Sequence, residues 1–194
     1  MLVDLIRHGE PVGGRRYRGQ TDDPLSEKGW RQMEQAVERS QPWSAIVTST
    51  LSRCSEFAYS LGTRIGKTVH EEARFKEIGF GEWEGKTPDE LQQLGPDMLK
   101  RFLHEPVKYP PPGAESLSEF SLRVSSAWEE ILVKLRGEHI LVVAHAGVMR
   151  AIIGYVLNMP VESIYRLQVD NAAISRIKID DERPATLVFH NTRI

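Results

Sequence analysis

Leu2-Val3-Asp4-Leu5-Ile6-Arg7-His8-Gly9-Glu10 is an apolar run that ends in a cation, an imidazole and a glycine. Leu2, Val3, Leu5 and Ile6 read as a short buried β-strand, and the polar residues mark where it leaves its sheet. In an α/β fold ligands meet the carboxyl ends of the strands, where loop backbone is free and the scaffold beneath is rigid. Arg7 and His8 stand at such an end. A guanidinium offers a planar fork of donors suited to phosphate or carboxylate, and neutral imidazole offers a lone pair that can attack phosphorus. Gly9 leaves room for a tight turn or a close backbone approach. By itself Arg-His-Gly is an ordinary polar strand end, so its meaning depends on what the rest of the chain supplies.

The chain supplies a second histidine in the same setting. Ile140-Leu141-Val142-Val143-Ala144 is the plainest buried strand, and it ends at His145-Ala146-Gly147, which opens a helix. Between the two lies Ala45-Ile46-Val47-Thr48, a strand followed by Ser49-Thr50-Leu51-Ser52-Arg53-Cys54 and a helix to about residue 65. Arg53 falls in the first turn of that helix. Free N–H groups and the helix dipole already attract anions there, although a lone arginine at such a place is commonly just solvated. Residues 68–72 read as a third strand, and residues 172–179 and 185–189 as closing strands.

The connecting segments are equally informative. Residues 11–23 are Gly- and Arg-rich loop, and Arg15, Arg16 and Arg18 are either a solvated basic turn or contacts to a second anionic or polar part of a ligand. A helix follows to about Arg39, with Met33, Ala36 and Val37 inside. Phe75 to Thr87 has no helical period and is punctuated by glycines, so it is a structured loop. Its Gly85-Lys86-Thr87 imitates the end of a phosphate-binding P-loop, but the spacing requires glycine where Phe80 stands, and Glu82 and Glu84 would repel phosphate. Pro88 to Glu105 reads as one or two helices, apolar at Leu91, Leu94, Met98, Leu99, Phe102 and Leu103, and Pro110-Pro111-Pro112-Gly113 halts it. Ser116 and Glu119 form a capping box opening the strongest helix, whose buried stripe is Leu117, Phe120, Val124, Ala127, Trp128, Ile131 and Leu135.

Leu5-Ile6-Arg7-His8-Gly9-Glu10 resembles the signature of the histidine phosphatase superfamily, which includes the phosphoglycerate mutases. Gly19, Asp23, Pro24, Leu25 and Gly29 are similar in order to that family's stretch between first strand and first helix. Ser49 to Cys54 resembles its Ser-Pro-Leu-x-Arg-Ala element, with Thr50 for the usual proline. Glu77, Gly81, Trp83, Glu84 and Gly85 match its Leu-x-Glu-x-x-x-Gly-x-Trp-Glu-Gly element, and Glu115-Ser116 its Gly-Glu-Ser element. His145 matches the second histidine, with Ala146 where glycine is common.

The resemblance implies an α/β fold, a three-layer α/β/α sandwich with a mostly parallel central sheet, and one domain over residues 1–194 with a helical excursion at about 88–112. It implies phosphomonoester hydrolysis through a phosphohistidine on His8. Arg7, Arg53 and His145 would hold the phosphoryl oxygens, and Glu77 would serve the leaving group as acid and then water as base. No cofactor or metal is expected. The segment after Glu10, with Asp22-Asp23-Pro24-Leu25-Ser26, is most similar to the α-ribazole phosphatase branch, which removes the 5′-phosphate from a cobalamin precursor. Gly14 stands where many relatives place a phosphate-binding asparagine, for which Arg15 or Arg18 would compensate. A broad-specificity phosphatase for sugar phosphates or phosphoglycerate, and a non-catalytic phosphate- or partner-binding module, remain alternatives.

The partner that the resemblance implies is a small-molecule phosphomonoester, and composition adds only what it excludes. The 194 residues, 40% hydrophobic, suffice for a real core, and 25 basic against 27 acidic residues leave a net charge of -2. No global field draws the chain to nucleic acid or membrane. One cysteine, Cys54, allows neither an internal disulfide nor a Cys-rich zinc site. No apolar run approaches the ~20 residues of a membrane span and no signal-peptide pattern opens the chain, so a cytoplasmic protein is expected.

Overall fold

The structure is a computed structural model and describes residues 1–38 and 42–192. Its sheet contains β1 (Leu2–Arg7), β2 (Ala45–Thr48), β3 (Thr68–Glu71), β4 (His139–Ala144), β5 (Ile174–Lys178) and β6 (Thr186–Thr192). The spatial order is β3-β2-β4-β1-β5-β6. The first four in that order run parallel, while β5 pairs antiparallel with β1 and β6 antiparallel with β5. Arg7 pairs with Ala144 across β1 and β4, so the next residues, His8 and His145, leave the sheet side by side.

Strand alternation divides the core into two faces. Val3, Leu5, Val47, Ile140 and Val142 pack under α5 (Leu117–Lys134) and α6 (Ala146–Val156). Ile6, Ile46, Leu141 and Val143 pack under α1 (Glu27–Val37) and α2 (Ser52–Ile65). The result is the expected three-layer, mostly parallel sandwich. Asp4 interrupts the apolar run of β1 and is wholly buried. Its carboxylate accepts from Arg176 Nε at 2.7 Å and Nη2 at 2.9 Å and from Trp43 Nε1 at 2.8 Å, and meets His139 Nε2 at 3.0 Å. Such pairing is what a charge in a strand interior requires.

The excursion contains α3 (Pro88–Leu94) and α4 (Met98–His104). Leu91 and Phe102 bury themselves against Trp83, but Leu94 is 64% and Leu103 51% exposed, so only part of the expected apolar stripe is core. The capping box also sits elsewhere than expected. Thr87 and Glu90 form a complete one at the start of α3. At α5 the Ser116 hydroxyl accepts from Glu119 N but donates to the Glu119 carboxylate, which leaves the box half made. The expected end of α1 at Arg39 lies outside the described residues.

Candidate active site

The site begins where β1 and β4 end. His8 N donates to Ala144 O at 3.0 Å, and the His8 ring places Nδ1 2.7 Å from the carbonyl of Gly9. A carbonyl only accepts, so Nδ1 carries the proton and Nε2 keeps its lone pair. Burial, reinforced by the charges of Arg7 and Arg53, holds the His8 imidazole well below its ordinary pKa and therefore neutral. The segment before β5 supports this strand end: Ala172 N donates to Arg7 O, and Asn171 Nδ2 to His8 O. Arg7 donates from Nη1 to Val169 O at 2.7 Å, while its buried Nε has no partner among the described residues. Burial pushes the Arg7 guanidinium down to about 10.

Arg53 is 1% exposed, so the bland reading of a solvated surface arginine fails. Its Nη1 and Nη2 donate to the carbonyls of Thr21 and Gly19, each at 2.7 Å, and its Nε to His145 Nδ1 at 3.3 Å. Because Nδ1 accepts, His145 carries its proton on Nε2, which donates to Ser49 Oγ at 2.8 Å. His145 is completely buried, edge-on to His8 with centroids 5.2 Å apart. Burial and Arg53 hold it, too, well below the ordinary imidazole range. Cys54 Sγ lies 3.6 Å from His145 Nε2 and donates to Ala144 O, and burial pushes the thiol up to about 12.

Glu77 reaches the same place from the other core face. Its Oε2 accepts from Gly147 N at 2.9 Å in the first turn of α6, and its Oε1 from Ile78 N at 3.0 Å. A Cβ at position 147 would run into this carboxylate, so the bare glycine is what lets Glu77 approach the helix. Behind the loop, Arg123 donates to the carbonyls of Lys76 and Glu77 and to both oxygens of Glu115, and Glu115 Oε2 in turn accepts from Gly79 N. Glu115 thus braces the loop that carries Glu77.

Arg7, His8, Arg53 and Glu77 line a cleft of about 630 Å³, with His145 directly behind. The loop arginines divide. Arg18 is buried, ion-paired with Asp23 at 2.7 Å and bonded to the carbonyls of Gly14 and Val12; Arg16 donates to Gly85 O at 2.7 Å. Among the described residues, Arg15 is the loop arginine that reaches the cleft with no hydrogen bond or ion pair. Farther out, Tyr17, Phe80, Phe102 and Tyr165 contribute aromatic surface, with Arg150 over the Tyr165 ring at 5.4 Å. Arg150 Nε is anchored on Leu167 O at 2.8 Å. Sequence reading missed Arg150 and Tyr165. Arg150 follows Ala146 by one helical turn, so the spacing alone could have placed it on the cleft side of α6. Among the described residues no group of three His, Cys, Asp or Glu side chains is placed to hold a metal ion, and no helix is long and apolar enough to cross a membrane.

The family model for the histidine phosphatase superfamily (branch 1) matches residues 3–192. Phosphoserine phosphatase 1 of Hydrogenobacter thermophilus is 31% identical over 195 residues, covering 97% of this chain and 91% of that protein. The crystal structure of the α-ribazole phosphatase from Shigella flexneri superposes with a TM-score of 0.84 at 28% identity, over 100% of this chain and 97% of that one. A mycobacterial glucosyl-3-phosphoglycerate phosphatase, solved with VO3, gives 0.86 at 28% identity over 98% of each chain. Fold and matches together define a phosphatase enzyme on a phosphoglycerate mutase-like sandwich. The chain belongs to the histidine phosphatase superfamily, branch 1.

Proposed function

We propose that the protein hydrolyses a small phosphomonoester through a phosphohistidine on His8. The observation that carries this reading is the Nδ1–H contact to Gly9 O, which leaves Nε2 as the free nucleophile on a neutral ring. Nε2 attacks phosphorus, the ester P–O bond breaks opposite it, and the leaving oxygen takes the Glu77 proton. Water then attacks the phosphorus of the phosphohistidine and gives a proton to Glu77, the P–Nε2 bond breaks with its electron pair returning to His8, and phosphate leaves. The transition state is loose and chiefly needs positioned charge. Arg7, with its unpartnered Nε, and Arg53 supply it. His145 keeps Arg53 in place through Nδ1, and turning Nε2–H from Ser49 to a phosphoryl oxygen adds a third donor.

For the substrate we favour α-ribazole 5′-phosphate, with α-ribazole as the leaving alcohol. Support comes from the aromatic side chains on the outer cleft, which offer stacking surface to a planar base, and from the likeness to α-ribazole phosphatase. One observation favours a second reading. The Nη atoms of Arg150 have no hydrogen bond among the described residues, and they suit a leaving group bearing a carboxylate, as in phosphoserine or a phosphoglycerate.

Phosphate release from α-ribazole 5′-phosphate, phosphoserine, 3-phosphoglycerate and glucose 6-phosphate, with His8→Ala as control, tests both levels. Turnover that vanishes in His8→Ala and prefers the ribazole ester is expected. Preference for the carboxylate esters would transfer the assignment to the second reading, and undiminished turnover in His8→Ala would overturn the mechanism.

A further inference from the structure

Glu84 is a carboxylate in the loop that carries Glu77, and no lysine or arginine pairs with it among the described residues. Its charge is spent on hydrogen-bond donors of two separate loops. Oε1 accepts from Phe80 N at 2.9 Å and Gln20 N at 3.1 Å; Oε2 accepts from Thr21 Oγ1 at 2.6 Å and Thr21 N at 3.1 Å. Charge-assisted bonds of this kind are roughly twice as strong as neutral ones. The Gln20–Thr21 side belongs to the turn whose carbonyls, Gly19 O and Thr21 O, seat the Arg53 fork. The Phe80 side lies three residues from Glu77, on backbone already tied to α5 through Glu115 and Arg123.

The two loops are in direct contact at Gly19 and Glu84. Gly19 has φ +41°, and a Cβ there would collide with the Glu84 carboxylate. Movement of the carboxylate therefore moves the turn, and with it both acceptors that orient Arg53. We propose that Glu84 is a positioning residue that fixes the spacing between the phosphate-binding fork of Arg53 and the acid Glu77. The inference rests on the roles given to those two residues above, and it turns the 75–87 loop from a carrier of one acid into a bridge between both halves of the site. A misplacement of about 1 Å in such a constellation costs up to ~100-fold in rate.

Glu84→Gln tests it at constant size. The amide keeps one acceptor but turns an NH₂ toward backbone N–H groups, setting donor against donor. Inorganic phosphate affinity by calorimetry, and kcat and KM for nitrophenyl phosphate and an alkyl phosphate, are the readouts. Phosphate should bind about 10-fold more weakly and kcat should fall about 10- to 100-fold, more for the alkyl ester. Thr21→Val, which removes only the hydroxyl bond, should move both in the same direction by less, and it serves where Glu84→Gln folds poorly. Glu82→Gln, at an exposed neighbour, should change neither. Wild-type phosphate affinity and kcat in folded Glu84→Gln, or a loss matching only the unfolded fraction, would overturn the inference. A wild type that binds phosphate but hydrolyses no ester would sink the catalytic reading alone, since the calorimetry still decides the role of Glu84.

Discussion

At the scale of the residue, the side chains named from sequence and the contacts that tune them differ in legibility. Arg7, His8, Arg53, Glu77 and His145 were readable because each is a chemically distinctive residue at a strand end or in a glycine-punctuated loop, and the structure gathers them at one place. The partner that selects the His8 tautomer was not readable, because it is the backbone carbonyl of the next residue and has no side chain to announce it. Gly147 was read as part of a strand-end pattern, whereas its lack of a Cβ is what admits Glu77 to its N–H. Gly147→Ala should therefore push the carboxylate aside and lower kcat for alkyl phosphates about 10- to 100-fold, with a smaller loss for nitrophenyl phosphate. Position 147 lies within α6, where alanine is the better helix former by up to ~1 kcal/mol, so the loss should come without lower cooperativity in unfolding. Equal losses on both esters would show that the methyl disturbs something other than the acid.

At the scale of the element, the strands and the four sandwich helices follow from hydrophobic period, and the excursion is where period misled. Leu94 and Leu103 look like core in a helical stripe, yet the apolar cluster that α3 and α4 join is small, built on Trp83 with Phe80 and the rim tyrosines, and it buries Leu91 and Phe102 while Leu94 and Leu103 stay exposed. With so little burial, α3 leans on its cap. Thr87 Oγ1 accepts from Glu90 N, and Glu90 Oε2 accepts from Thr87 N at 2.7 Å. Thr87→Ala should cost about 1 kcal/mol locally, seen as roughly fivefold faster amide exchange over residues 88–94 with the sheet unaffected. The half-made box at α5 should matter less, because that helix buries six side chains of its own. Exchange that speeds equally throughout the protein would show that the excursion opens only with the whole.

At the scale of the molecule, sheet order was beyond the sequence. Nothing in residues 2–7 announces that their neighbours are residues 139–144 on one side and an antiparallel strand on the other. That arrangement places two neutral imidazoles beside two guanidinium groups inside the fold, with a consequence for acid stability. Unfolded imidazoles take up protons below about pH 6.5. His8 and His145 refuse them in the folded state, because burial and the neighbouring arginines hold both well below that value. Falling pH therefore favours the unfolded chain, by at most about 1.4 kcal/mol per pH unit for each ring. Urea unfolding followed from about pH 7.5 to 5.5 should show wild type losing more stability than His8→Asn, by about 1 kcal/mol at the acid end. Parallel losses would mean that His8 titrates like an unfolded histidine. The same packing gives the molecule a clock. Cys54, the one thiol in the chain, lies behind His145 with its thiolate suppressed, so alkylating reagents that consume thiolate find it only while α2 stands away from β4. Its rate of labelling counts those openings one by one, and any substitution that loosens this part of the interior will make the count run faster.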